Sequence, residues 1–175
     1  GGYYRETSSW WLPFGWQAGD YGDWIESRTF IEWTLPRLQV SVTKVEFRYH
    51  GYEHWCNSDI RAMSQRVSDY PNTQSGNQAL FNDCGDGTAY LSNNGVFPEV
   101  GAGKNVGGSG PSWSNNPKTD LQNAILGKGW FAFGFKGNAA YQDKENRIYS
   151  EEYASANPRP TLYFEYTYTA TASIK

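Results

Sequence analysis

The sequence has few charged residues and no run of them. Only 19% of its 175 residues are Asp, Glu, Lys or Arg, and the formal net charge is -3. Because basic residues do not cluster, we expect neither nucleic acid nor an anionic membrane surface as a partner. No apolar run approaches the roughly 18 residues that a transmembrane helix requires, so we also expect no membrane insertion.

The common catalytic motifs are also absent from the sequence. It contains no Gly-x-Ser-x-Gly elbow, no His-Glu-x-x-His pair and no Gly-rich phosphate loop. Only two histidines can exchange protons near neutral pH. A glycosidase needs just two carboxylates brought together by the fold, and the chain has 18 acidic residues. We nevertheless predict that the protein is not an enzyme.

Aromatic side chains and turn-forming residues are what the sequence has in abundance. It contains 8 Trp, 13 Tyr, 19 Gly and 8 Pro, a composition typical of β-strands joined by turns. Alternating polar and apolar residues mark the individual strands. The predicted strands cover residues 28–35, 45–49, 59–67, 130–136, 147–150 and 161–168.

These strands, with no βαβ alternation and no internal repeat, predict a single all-β domain over residues 1–175. Its expected architecture is a two-sheet antiparallel sandwich of the jelly-roll type. Clusters of turn residues between 72 and 116 predict long loops with at most short strands. We expect at most one short helix, over 121–126, capped by Thr119 or Asp120 and ended by Gly127.

The two cysteines, Cys56 and Cys84, lie in polar, turn-rich sequence. An even number of cysteines in this setting predicts one disulfide and an oxidising, extracellular location, either secreted or on the cell surface. The alternative is two buried thiols that act as small apolar side chains. The chain opens at Gly1 without a methionine, which suggests cleavage from a precursor or, alternatively, a cloning remnant at Gly1 and Gly2.

A transition-metal site at the histidines is weighed and not favoured. His50, His54 and Cys56 share one face if their strand continues through Cys56. At about 3.3 Å per residue, however, the two imidazoles would lie about 13 Å apart. The simpler interpretation is two histidines at a sheet edge.

Structural calcium is the one cofactor for which the sequence offers candidates. Asp20 and Asp23 flank one glycine turn, and Asp83 and Asp86 flank another. Neither pair has the donor spacing of an EF-hand. Asx-turns that satisfy local backbone groups are the favoured interpretation, and no other cofactor is expected.

Four segments carry a resemblance to a known family. They are SRTFIEWTL at 27–35, VEFRY at 45–49, GWFAFGFKG at 129–137, and YSEE at 149–152 followed by NPRPTLYFEY at 157–166. This layout resembles the extracellular jelly-roll domains of the DNRLRE and disaggregatase-related type, a group that includes family 96 carbohydrate-binding modules. The resemblance implies a wall- or polysaccharide-associated module, or a surface or filament protein, without catalysis. The glycine-rich middle third departs from it, so no ligand loop is carried over.

Several tryptophans fall where the sequence predicts turns. These candidate contact residues are Trp10, Trp11, Trp16, Trp55 and Trp113. Exposed indole rings stack on the apolar faces of sugar rings, which suits a polysaccharide partner. They also pack against other protein surfaces, which suits a second copy of this chain. A third interpretation places most of them in the core.

The last residues, 166–175, predict a donor strand. Tyr166, Tyr168, Ala170 and Ile174 share one face of an alternating, β-prone segment with little charge, suited to the sheet edge of a neighbouring copy. Such a contact, repeated, makes an open fibre. The leading hypothesis is therefore a secreted structural subunit that self-assembles into a filament or surface layer. The alternative is a carbohydrate-binding module with exposed aromatic residues.

Overall fold

Over residues 11–19, 23–139, 142, 144–150 and 159–168, which the computed structural model describes, the chain forms nine β-strands and two α-helices. The elements are β1 (Trp11–Ala18), β2 (Trp24–Thr34), β3 (Val40–Glu53), β4 (Ser58–Ala62), α1 (Gln74–Asp86), β5 (Ala89–Asn94), β6 (Gly101–Val106), α2 (Lys118–Asn123), β7 (Trp130–Gly137), β8 (Lys144–Tyr149) and β9 (Thr161–Tyr168). A 3₁₀ turn spans Val67–Asp69, and a π-helical turn spans Ala124–Lys128 directly after α2.

The strands pair in antiparallel fashion into one curled sheet. Their order is β5-β4-β7-β2-β1-β8-β3-β6, and β9 pairs with β3. The long strand β3 begins with Val40 opposite Tyr168 of β9 and ends with Glu53 opposite Arg147 of β8. The all-β class is thus confirmed. The hydrogen bonds link all nine strands into a single sheet, so the two-sheet jelly roll stays a prediction.

Aromatic rings form the core inside the curled sheet. The ring of Phe47 on β3 lies 5.7 Å from that of Phe133 and 5.5 Å from that of Phe135 on β7 (centroid distances). Because side chains alternate along a strand, Phe131, Phe133 and Phe135 of β7 all reach this core. Each fully buried aliphatic or Phe side chain contributes about 1.5–3 kcal/mol from apolar burial.

A β-bulge allows even-numbered and odd-numbered residues of β3 to face the same core. Val40 and Val42 are buried before the register shift between Val42 and Lys44, whereas Val45 and Phe47 are buried after it. One extra residue in the bulged strand reverses the alternation, which explains how an even run and an odd run face the same core.

Helix α1 contradicts the expectation of at most one short helix and of loops throughout 72–116. Its Leu80 and Cys84 pack on Ala132, on the outer face of β7. The approach is close: a Cβ on Gly134 would lie 2.5 Å from the carbonyl oxygen of Cys84. The segment is rich in Gly, Asn and Asp and has poor helix propensity. Tertiary packing therefore forms a helix that composition argues against.

The one short helix that the sequence predicts is present as α2, but it begins and ends elsewhere than expected. Helix α2 follows Pro117, so Thr119 and Asp120 lie inside the helix and do not cap it, and Asp120 accepts a hydrogen bond from the Tyr90 hydroxyl at 2.7 Å. The π-helical turn ends at Gly129, which has the left-handed φ of 74°, and not at Gly127. None of the helices in the described ranges is long and apolar enough to span a membrane.

Candidate functional site

The register of the strands defines two ends of the molecule. Val40 of β3, Tyr168 of β9 and helix α2 lie at one end, which we call the helix end. Glu53 of β3 and the paired ends of β1 and β2 at Ala18 and Trp24 lie towards the other, which we call the hairpin end. The start of β4 also lies at the hairpin end, because Ser58 pairs with Gly137 at the end of β7.

Exposed large apolar side chains of the described residues gather at these two ends. At the hairpin end they are Trp24, Ile25, Tyr52, Trp55, Val96 and Val100, and at the helix end they are Leu126, Tyr166 and Tyr168. Val100 belongs to the hairpin end because it bridges Gly51, and Val96 because it follows the pairing of Asn94 with Ser58. Isolated exposed apolar residues are ordinary, whereas gathered ones mark contact surfaces.

The β1–β2 hairpin projects beyond the end of strand β7. Arg28 lies opposite Lys136, next to the end of β7, so Trp24 extends about 10 Å farther along the strand. Trp24 is 41% exposed and Ile25 is 47% exposed, and as neighbours in a strand they point to opposite faces. The amide of Gly19 donates to the carbonyl oxygen of Asp23 at 2.7 Å and closes the base of the turn.

A buried asparagine holds the exposed Trp55 in place. The Oδ1 atom of Asn146, a fully buried residue, accepts hydrogen bonds from the amides of Trp55 at 2.6 Å and Cys56 at 3.1 Å. Its Nδ2 atom donates to the carbonyl oxygen of Cys56 at 2.7 Å. The indole of Trp55, 61% exposed, is therefore presented on a backbone that is fixed from within the core.

A ladder of aromatic rings runs along β9 to the helix end. Tyr166 lies 5.9 Å from Phe164 and 5.5 Å from Tyr168 (ring centroids). Val42 and Val40, the β3 partners of the two tyrosines, are buried, yet Tyr166 is 40% exposed and Tyr168 is 73% exposed. The predicted sharing of one face by these tyrosines is confirmed by this register. Among the described strands, β9 pairs only with β3.

The predicted donor strand overlaps β9 only at its start. Tyr166 and Tyr168 pair with β3 of their own chain. Ala170 and Ile174 lie outside the described residues. In the described ranges, β9 therefore pairs with β3 along one edge and leaves the side chains of Tyr166 and Tyr168 exposed.

A recess of about 290 Å³ opens at the helix end, beside α2. Met63 and Trp130 are among its apolar walls, and Asp120 and Lys128 are among its polar ones. The Tyr90 ring is nearly fully buried there, and its hydroxyl donates to Asp120. Burial, together with the Asp120 carboxylate, raises the pKa of Tyr90, so its phenol keeps the proton that it donates. The recess therefore has apolar walls, and one acidic and one basic residue, Asp120 and Lys128, are among its lining residues.

A second, open groove of about 590 Å³ lies on the outer face of β3. Glu46 is buried there, although the alternation of β3 predicts a solvent-facing residue, because Lys44 (2.5 Å) and Arg48 (2.8 Å) pair with it. The hydrogen bond from Lys44, assisted by Arg48, lowers the pKa of Glu46. The guanidinium of Arg48 also lies 3.7 Å from the ring centre of Tyr163.

The predicted disulfide is wrong. Cys56 and Cys84 are both buried free thiols. A Cβ on Gly137 would lie 3.0 Å from the Cys56 sulfur, whereas the Cys84 backbone approaches Gly134. Positions 134 and 137 of one strand face opposite sides, so the sheet separates the two thiols. Burial raises the pKa of Cys84 to about 12 and raises that of Cys56 as well, which makes both thiols unreactive.

The calcium candidates do not form a common site. Asp83 and Asp86 lie on helix α1 and not in a glycine turn. Asp83 accepts hydrogen bonds from the amide of Ser64 at 2.9 Å and from the hydroxyl of Tyr70 at 2.7 Å, so its oxygens serve the fold. Asp23 lies at the projecting hairpin, and Asp20 is outside the described residues. In the described ranges, no three His, Cys, Asp or Glu residues are grouped to hold a metal.

His50, His54 and Cys56 do not share a face of one strand, as they would if β3 continued through Cys56. Strand β3 ends at Glu53, so His54 and Cys56 are not on it. The imidazole of His50 instead packs edge-on against Tyr149, with 4.6 Å between ring centroids.

The predicted aromatic contacts divide into exposed and packed side chains. Trp113 packs against the core, and its Nε1 donates to the carbonyl oxygen of Val45 at 3.0 Å, so it is not a surface platform. Trp16 is half-buried on β1, whereas Trp55 is exposed. Trp10 and the side chain of Trp11 lie outside what the structure describes. Sequence reasoning missed Trp24 and Ile25, because their projection depends on where the neighbouring strand ends.

No family model, curated protein or solved structure matches this chain. The resemblance to the DNRLRE and disaggregatase-related domains therefore stays a prediction.

Proposed function

We propose that the protein is a non-enzymatic structural subunit that self-assembles end to end into an extracellular filament or surface layer. The observation that carries this proposal is the gathering of exposed apolar side chains at the two ends of the strands. The two ends differ, with Trp24 and Trp55 at one and Tyr166 and Tyr168 at the other. A contact between unlike ends is heterologous, and its repetition makes an open fibre unless a rotation closes it into a ring.

The length of strand β3 gives an estimate of the axial repeat of such a fibre. Strand β3 spans 14 residues from the helix end to the hairpin end. At about 3.3 Å per residue, its length corresponds to about 45 Å, so an end-to-end fibre should repeat at about 45 Å or slightly less. Burying the end patches in each contact removes apolar surface from water, which favours association by about 25 cal/mol per Å².

The donor-strand hypothesis is retained in this proposal as a supplement to the end contacts. Residues 169–175 continue β9 in the sequence with small and β-branched side chains, and Lys175 is their one charged residue. A segment of this kind suits addition to the sheet edge of a neighbour. The proposal also keeps the jelly-roll description, supported by the edge-on packing of Phe47 on β3 against Phe133 on β7, two strands that are not neighbours in the sheet.

Electron microscopy of the natively purified protein, combined with size-exclusion chromatography, tests the proposal. We expect filaments or sheets with an axial repeat near 45 Å, and elution well before a 19.8 kDa monomer. A protein that stays monomeric at every concentration would contradict self-assembly.

Carbohydrate binding is the second candidate function, and the open groove on β3 favours it. Lys44 and Arg48 are balanced by Glu46 and by Glu165, which lies 3.7 Å from Lys44, so the groove carries little net charge. Uncharged hydroxyl groups, as in a neutral glycan, match such a surface, and Tyr163 offers a ring nearby. A neutral polysaccharide should then retain the protein, with Tyr163→Ala reducing retention but not assembly. Absence of retention on all glycans tried would exclude this candidate.

A further inference from the structure

The recess at the helix end and the projecting hairpin at the opposite end are complementary. We propose that Trp24 of one copy inserts into the recess beside α2 of the next copy. This inference rests on the proposed self-assembly and specifies its contact. The hairpin cannot reach the recess of its own chain, because the full length of β2 separates them: Trp24 begins this strand, and Thr34 at its other end pairs with Trp130 of the recess.

The recess has the chemistry that an indole ring requires. Its volume of about 290 Å³ is small for a ligand site but large enough for one aromatic side chain. Trp130 and Met63 give it apolar walls, and the carboxylate of Asp120 lies among the lining residues. One Asp120 oxygen accepts from Tyr90 at 2.7 Å.

The hairpin carries a matching set of groups. Trp24 is 41% exposed on a projection of about 10 Å, which gives it the reach to enter a recess. Asp23, its exposed neighbour, offers a negative charge to Lys128, an exposed residue that lines the recess. On the opposite face of the hairpin, Ile25 can cover Leu126, which is exposed two residues before Lys128. The apolar contacts and the Asp23–Lys128 charge pair thus favour the same orientation of the hairpin.

Mixing two defective variants tests this contact. Trp24→Asp removes the indole from the hairpin and leaves the recess intact. Asn123→Trp, at an exposed lining position of α2, fills the recess and leaves the hairpin intact. We expect each variant alone to assemble roughly tenfold less than the wild type or worse. An equimolar mixture should form pairs of one copy of each and nothing longer, because only one intact hairpin and one intact recess can meet.

Thr119→Trp is the matched control, since it adds the same side chain to an exposed position of α2 that does not line the recess. It should assemble like the wild type. Circular dichroism and the unfolding midpoint verify that each variant is folded. As an independent readout, a chain with both Asp23→Cys and Lys128→Cys, which keeps Trp24 in place, should form covalent ladders on oxidation, whereas Cys56 and Cys84 are buried and unreactive.

The possible results separate the contact from the proposed function. In one case the wild type assembles and one of the two variants assembles equally well; in another the wild type assembles but no covalent ladder forms. Either result overturns the insertion of Trp24 but leaves self-assembly standing. Failure of the mixture to form pairs overturns it in the same way. A wild type that never assembles overturns both.

Discussion

Strands β7 and β9 have the same alternating aromatic pattern, yet one is buried and the other is largely exposed. Phe133 and its neighbours on β7 are at the centre of the core, whereas Tyr166 and Tyr168 of β9 face the same interior side and are open to solvent. Strand β7 lies between β2 and β4, and β3 packs across from it. The difference shows that alternation determines which residues share a face, while the position in the sheet determines whether that face is covered.

The outer faces of the two strands differ as well. Helix α1 covers β7 at Ala132 and Gly134 through apolar contacts. The outer face of β9 is instead held to β3 by charge, with Tyr163 beneath Arg48 and Glu165 near Lys44. We therefore expect β7 to respond to the loss of apolar volume, and the contact between β3 and β9 to respond to pH through Glu46.

The largest effect is expected from Phe133→Ala. The ring contacts Phe47, Trp33 and Tyr90, and its removal leaves a cavity that these rigid rings cannot fill. The free energy of unfolding should fall by about 3–5 kcal/mol, as measured by chemical denaturation. A loss of less than about 1 kcal/mol would mean that the core of β7 is loosely packed.

An intermediate effect is expected from acid. The pKa of Glu46 is lowered from its ordinary value of 4.5 by Lys44 and Arg48, so its stabilising contribution is fully present above pH 4.5 and is lost as pH falls through the lower folded-state value. Unfolding free energies measured between pH 7 and pH 3 should fall more steeply for the wild type than for Glu46→Gln. The matched control, Glu165→Gln, changes an exposed carboxylate and should keep the wild-type profile. Equal slopes for the wild type and Glu46→Gln would contradict this account.

The smallest effect on stability is expected from Tyr168→Ser. Because the side chain is 73% exposed, the free energy of unfolding should change by less than about 0.5 kcal/mol. If the helix end is an assembly surface, the same variant should reduce filament formation, as measured by sedimentation and electron microscopy. A large loss of stability with unchanged assembly would show that Tyr168 serves the fold instead.

The strands were predictable from sequence to the extent that their pattern is local. Strand β9 has the predicted bounds, Thr161 to Tyr168. Side chains alternate between the two faces of an extended chain, so the pattern that marks this strand is visible in the sequence itself. Helix α1 was not predictable, since its Gly- and Asn-rich sequence has low helix propensity and it forms by docking on β7. The recess could not be predicted either, because Tyr90, Asp120 and Lys128 come from separate elements.

The sequence by itself determined the all-β class, the positions of most strands and the side chains that share each strand face, because these follow from a two-residue period. Only the tertiary structure decided that Cys56 and Cys84 lie on opposite sides of β7, that Glu46 is buried between two cations, and that exposed aromatic residues gather at the ends. The physical reason is that burial depends on which distant segment covers a face, and the alternation of a single strand contains no information about its partners.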